Sequence, residues 1–96
     1  MTKRKEMPVY SGVIKYFPDA LLEVSRVSFL GNKQHNNGNK LFWDRSKSKD
    51  ELDAMMRHLI DYSKGVKEDS DGSLHLAKVA WRAMAMLQKE LEATNE

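Results

Sequence analysis

The alternation of apolar and polar positions divides the chain into three helical stretches and an unpatterned N-terminal segment. From Pro18 onward, Leu21, Leu22, Val24, Val27 and Leu30 recur at helical spacing. Pro18 suits a first helical turn, and Asp19 adds negative charge where the helix dipole favours it. Gly31 predicts the end of this helix, and "NKQHNNGNK" reads as a loop by its Asn and Gly content. Glu23 and Arg26 lie on the helix's more polar side.

A second helix is predicted from Ser48-x-x-Glu51, which fits a capping box. Leu52, Met55, Met56, Leu59 and Ile60 supply its apolar positions, and Gly65 its stop. "VKEDSDGS" is then a short acidic turn whose Asp71 is expected to cap a third helix. In that helix Leu76, Val79, Ala80, Ala83, Met84, Leu87 and Leu91 form an apolar stripe. Alanine permits close helix approach and methionine fills irregular gaps, so the stripe suits either an intrachain core or a seam between subunits. "YSGVIKYFP" mixes β-branched and aromatic residues with Gly12, as in an extended arm or a short edge strand. The expected architecture is all-α: a small bundle of about three main helices over residues 17–92, with an N-terminal arm (1–16) and a tail (93–96), completed by oligomerisation.

Size and composition narrow the classes. Ninety-six residues make one domain. A domain of this size buries roughly 60–70% of its surface, so a partner chain adds materially to its core. The chain is 41% hydrophobic and 31% charged and has no run of about 18 apolar residues that could span a membrane. The basic N-terminus is followed by no apolar segment, so it does not read as a secretory signal. Cysteine is absent, which excludes disulfides, thiolate metal sites and a cysteine nucleophile and fits a reducing cytosol. A net charge of +2 is no nucleic-acid footprint, although the basic clusters at Lys3–Lys5 and Lys40–Lys49 could attract phosphates.

The chain has no Gly-rich phosphate loop, dinucleotide fingerprint, zinc-helix motif or nucleophile elbow. What remains is a constellation. His58 and Asp61 stand i, i+3 on the second helix and project from one side. At that spacing they can share a divalent ion, or the carboxylate can orient the ring. His75 and Lys78 repeat the spacing on the third helix. Asp53 and Arg57 suit a plain surface ion pair. Packing of the three helices could bring Glu23, His58, Asp61 and His75 together, with Lys33, Arg45, Arg57 and Lys78 adding positive charge around them. The alternative is a solvated helix edge. Trp43, beside Asp44 and Arg45, could stack on a base or could cover the open end of the bundle.

Three segments carry a resemblance: "FPDALLEVSRVSFLGNKQHN", "FWDRSKSKDELDAMMRHLIDYSKG" and "DSDGSLHLAKVAWRAMAMLQKELE". Together they resemble the small phage-associated dATP/dGTP diphosphohydrolase-like proteins, relatives of the all-α MazG nucleotide pyrophosphohydrolases. The resemblance spans about residues 17–92. It implies a metal-dependent enzyme that cleaves a (deoxy)nucleoside triphosphate between the α and β phosphates, releasing pyrophosphate, with Mg²⁺ or Mn²⁺ as cofactor. It also implies helix-packed homodimers or tetramers, and phage nucleotide-pool adjustment in the cytoplasm of an infected or bacterial cell.

The roles implied are specific. Glu23, His58 and Asp61 are the catalytic candidates, and with His75 they are the candidate metal ligands. Lys33, His35, Trp43, Arg45, Arg57 and Lys78 are the candidate substrate-binding residues. The chain departs from MazG-type enzymes, which are similar to one another in carrying Glu-Glu-x-x-Glu on one helix and Glu-x-x-Asp on a later one. Here the first helix offers only Glu23, and His75 and Lys78 stand at the later positions. Two rival readings are a non-catalytic interaction protein docking through its third helix, and a nucleotide-binding module without hydrolysis.

Overall fold

The computed structural model of the chain describes residues 3–47 and 49–94. The architecture is all-α. Its main helices are α1 (Pro18–His35), α2 (Glu51–Ser63) and α3 (His75–Thr94), with short helical turns at Arg4–Glu6, Tyr10–Ile14 and Arg45–Lys47. α3 is the central helix: α2 packs along it on one side and α1 on another, and α1 and α2 do not pack on each other. No helix is long and apolar enough to cross a membrane among the described residues.

The N-terminal segment is helical rather than extended. Pro8 opens a turn in which the Gly12 amide donates to the Pro8 carbonyl at 2.7 Å, and the Lys15 amide to Tyr10 at 2.7 Å. Proline's fixed φ suits such a start. With no strand for the segment to pair with among the described residues, local bonding outweighs its β-branched composition. Tyr10, Val13, Ile14 and Phe17 remain exposed.

α1 begins at Pro18 as expected but runs through Gly31 to His35. Gly31 is not a stop, because the left-handed residues that end the helix come later. Asn37 has φ 53° and Gly38 φ 73°. The Asn32 carbonyl accepts from Asn36 at 2.8 Å and Gly38 at 3.3 Å, and the Asn32 side chain donates to the Asn39 carbonyl at 2.6 Å. The asparagines read as loop are thus the C-terminal cap of the helix.

α2 begins at Glu51, behind Asp50. Ser48, the other half of the expected capping box, lies outside the described residues. Gly65 terminates the helix as expected: its φ is 89°, and the Val66 amide reaches back to the Asp61 carbonyl at 3.1 Å. Asp71 does not cap α3. Its carboxylate accepts from the Ser73 amide at 3.0 Å and hydroxyl at 2.6 Å, two residues ahead of the helix. The connecting loop instead closes on itself, with the Asp69 amide donating to Ser73 at 2.8 Å and the His75 amide to Lys67 at 2.9 Å.

The α2–α3 seam is the main departure from the apolar pattern. The buried residues of these two helices are Glu51 and Ala54 in α2 and His75, Ala77 and Ala85 in α3. Small alanines let the helices approach, and polar groups pair across the contact: Lys89 donates to Glu51 at 3.0 Å. The expected stripes mostly face outward. Leu52, Met56, Leu59 and Ile60 of α2 are exposed, as are Leu76, Met84, Leu87 and Leu91 of α3. That much apolar surface is what interaction faces present.

Candidate functional site

The polar seam continues into a site at the start of α3. His58, one turn from the end of α2, and His75, the first residue of α3, bring their Nδ1 atoms to 3.0 Å. The rings lie 5.2 Å apart and tilted by 39°. His75 is 2% exposed. Its Nε2 faces Asp61 Oδ2 at 3.9 Å, and Asp69 Oδ2 lies 3.8 Å from His58 Nδ1. Each position has a local cause. The i, i+3 spacing puts His58 and Asp61 on the inward edge of α2, and the self-closed loop turns Asp69 and Asp71 towards α3.

Lys78, one turn into α3, completes the group. Its ammonium donates to Asp69 at 2.7 Å and to Asp71 at 3.0 Å. The bond from Lys78 holds the Asp69 carboxyl below its usual range. Burial pushes the Asp71 carboxyl up, but hydrogen bonds from Ser73 and Lys78 outweigh it and hold that group well below. Burial alone would lower Lys78; the two carboxylates reverse this and raise it. Burial, and then the charge of Lys78, depresses His58 against the pull of Asp69, so its ring is neutral near pH 7.

A cleft of about 590 Å³ opens beside this group, between α1, α3 and residues 41–47. Its lining brings His58, Asp71 and Lys78 together with Trp43, Trp81 and Arg82. The Trp81 indole donates to Ser28 of α1 at 2.8 Å. Trp43 meets Trp81 edge to face at 5.5 Å, and the Arg45 guanidinium covers its ring at 4.3 Å. Trp43 therefore packs against α3. Its Nε1 is buried and has no hydrogen-bond partner among the described residues.

Of the expected residues, the structure brings together His58, His75, Asp61 and Lys78. His35 and Trp43 line the cleft. Lys33 lies in a neighbouring groove with Asp69, Asp71 and Lys78. Arg45 is engaged with Glu92. Arg57 pairs with Asp50 at 3.3 Å rather than with Asp53, and it is exposed. Glu23 is half-buried on α1 and is not part of the cluster of ligand-bearing groups. Asp69 is the residue of this cluster that the periodicity missed. Its signal was the Asp-x-Asp-Gly run in a loop otherwise read only as acidic.

Among the described residues, one group could hold a metal ion: His58, Asp69 and His75, with one ligand atom from each lying within 4.8 Å of the others. The donors are two imidazole nitrogens and a carboxylate that also serves Lys78. Mg²⁺ requires hard oxygen ligands, so this donor set does not fit it.

These features define an all-α domain that gathers imidazoles, carboxylates and a lysine at the edge of an aromatic-walled cleft. The chain belongs to the dATP/dGTP diphosphohydrolase N-terminal family, whose profile matches residues 2–96. No curated protein and no solved structure matches it.

Proposed function

We propose that this domain serves the hydrolysis of dATP or dGTP to the monophosphate and pyrophosphate, in the phage nucleotide economy that the family resemblance implies. The observation that carries the reading is one cleft lined by both Lys78 and His58 and by Trp43 and Trp81. The indoles suit a base, and Lys78, with Lys33 in the adjoining groove, suits the phosphates. His58, neutral near pH 7, is the candidate to accept a proton from the attacking water. His75 and Asp61 hold its surroundings in place. In the same proposal, the exposed apolar faces of α2 and α3 pack against further copies of the domain.

Pyrophosphate release from dATP and dGTP, measured with Mg²⁺, Mn²⁺, Co²⁺ or EDTA, tests this. Release that is lost in His58→Gln is expected. Absence of release under every condition would sink the catalytic reading.

One observation favours a second reading. The Lys78 ammonium holds Asp69 and Asp71, the carboxylate oxygens that a Mg²⁺ ion on a triphosphate would otherwise use. A domain built this way could bind a triphosphate without cleaving it. Thermal stabilisation by dGTP with no pyrophosphate formed would select that reading.

A further inference from the structure

We propose that His58, His75 and Asp69 form a binding site for a first-row transition-metal dication of the kind imidazole favours, such as Co²⁺ or Zn²⁺. The site shares His58 with the hydrolytic reading, so the two are told apart by measuring metal binding on the chain without nucleotide.

The separation of the donors fits. Two nitrogens each about 2.1 Å from one ion lie about 3.0 Å apart at the right angle of an octahedral ion and about 3.4 Å apart at the tetrahedral angle of Zn²⁺. The Nδ1 atoms of His58 and His75 are 3.0 Å apart. Two imidazoles and a carboxylate on one side of an ion form a donor set selective for first-row metals over Mg²⁺.

The donors are also held by outer partners. His75 Nε2 lies 3.9 Å from Asp61 Oδ2, a carboxylate placed to favour a proton on Nε2, and with the proton there the Nδ1 lone pair faces His58. This carboxylate–imidazole pairing behind a ligating nitrogen orients rings in metal sites. Asp69 Oδ1 accepts from the Ser70 amide at 2.7 Å and Oδ2 from Lys78 at 2.7 Å, which fixes the carboxylate while leaving lone pairs free. Without an ion, the 3.0 Å contact is a hydrogen bond from His58 Nδ1–H to His75 Nδ1. On binding, His58 gives up that proton to solvent and takes one on Nε2, so the ring stays neutral and both Nδ1 lone pairs reach the ion.

The test is titration of the EDTA-treated, dialysed chain with Co²⁺, read by visible absorption, alongside melting curves with Co²⁺, Zn²⁺ or Mg²⁺. The expected result is a saturable spectrum at one ion per chain, with a higher melting temperature for Co²⁺ and Zn²⁺ and none for equal Mg²⁺. His58→Gln and Asp69→Asn should abolish the spectrum, and His35→Gln should leave it intact. Asp61→Asn should weaken Co²⁺ binding about 10–100-fold while leaving the metal-free melting temperature unchanged. Imidazole ¹⁵N shifts in the wild-type chain keep the test open if a variant misfolds: on Zn²⁺ addition, Nδ1 of His58 and His75 should move and His35 should not. A flat spectrum in the wild type, retained binding in a folded His58→Gln chain, or shifts at His35 alone would overturn the site.

Discussion

The ammonium of Lys78 sits 2.7 Å from the Asp69 carboxylate, tying the first turn of α3 to the loop that precedes it. The same ammonium holds Asp71 at 3.0 Å. The side chains of Lys78, Asp69 and Asp71 are 18%, 26% and 30% exposed, so water screens the group only in part. Lys78→Met keeps the aliphatic stem and removes the charge. Two adjacent carboxylates then lose their shared donor and repel each other. The expected cost is about 1.5–3 kcal/mol, the range for hydrogen bonds to charged groups. Urea unfolding of both chains at neutral pH measures it. An unchanged midpoint would mean that solvent satisfies the two carboxylates unaided.

The same group sets the acid limit of the fold. Asp69 and Asp71 both titrate below the ordinary aspartate value in the folded chain. As pH falls, the unfolded chain takes up protons first, near about pH 4. Their contribution is therefore complete above that value and is lost as pH drops towards the depressed folded values. His58 is depressed too, so a shallower decline should begin near about pH 6.5, where the unfolded imidazole charges before the folded one. Urea midpoints should fall in two stages on acidification. Lys78→Met should flatten the lower stage, because the ammonium is part of what depresses the aspartates. Equal acid sensitivity in the two chains would break that assignment.

How far the pattern of residues carried this fold can be seen at particular positions. Pro18 and Gly65 mark real helix ends because fixed φ and left-handed backbone are local requirements that no packing overrides. Gly31 misled, because a glycine within a helix looks like a stop until the true left-handed residues, Asn37 and Gly38, are located. The faces were harder to assign. Apolar periodicity points a helix at whatever covers it, and in α2 and α3 that is not the other helix: Met84 and Leu87 are exposed, while His75 and Glu51 are buried. His58 and Asp61 were legible from their spacing on one helix edge. Asp69 was not, because its approach to His58 depends on how the loop after Gly65 folds back, and no periodicity records that.

The reversed faces predict opposite outcomes for neighbouring residues of α3. Ala85 is 5% exposed, so Ala85→Leu forces extra volume into a buried position. Overpacking of this kind costs about 1–3 kcal/mol. Met84 is 56% exposed, and Met84→Lys should change the stability of the isolated chain by no more than about 0.5 kcal/mol. Chemical denaturation at low protein concentration compares the two. A large loss in Met84→Lys under those conditions would mean that this face is covered within the chain.

The last prediction separates two carboxylate and imidazole sets proposed for hydrolysis. His58 stands on the cleft wall, 3.0 Å from His75, whereas Glu23 lies on α1 outside the cluster of ligand-bearing groups. A positioned base contributes about 10²–10⁴-fold in rate. His58→Gln should therefore lower kcat/KM for dGTP by at least about 10²-fold. Most of that loss should fall in kcat, since the ring acts on the attacking water rather than on the bound base. Glu23→Gln should keep activity within about tenfold, because Glu23 stands apart from the group gathered at His58, Asp69 and His75. The comparison is made on folded variants with matched helix content by far-UV circular dichroism. The reverse ranking, Glu23→Gln inactive and His58→Gln active, would move the reacting centre to α1 and leave the histidine pair as part of the seam.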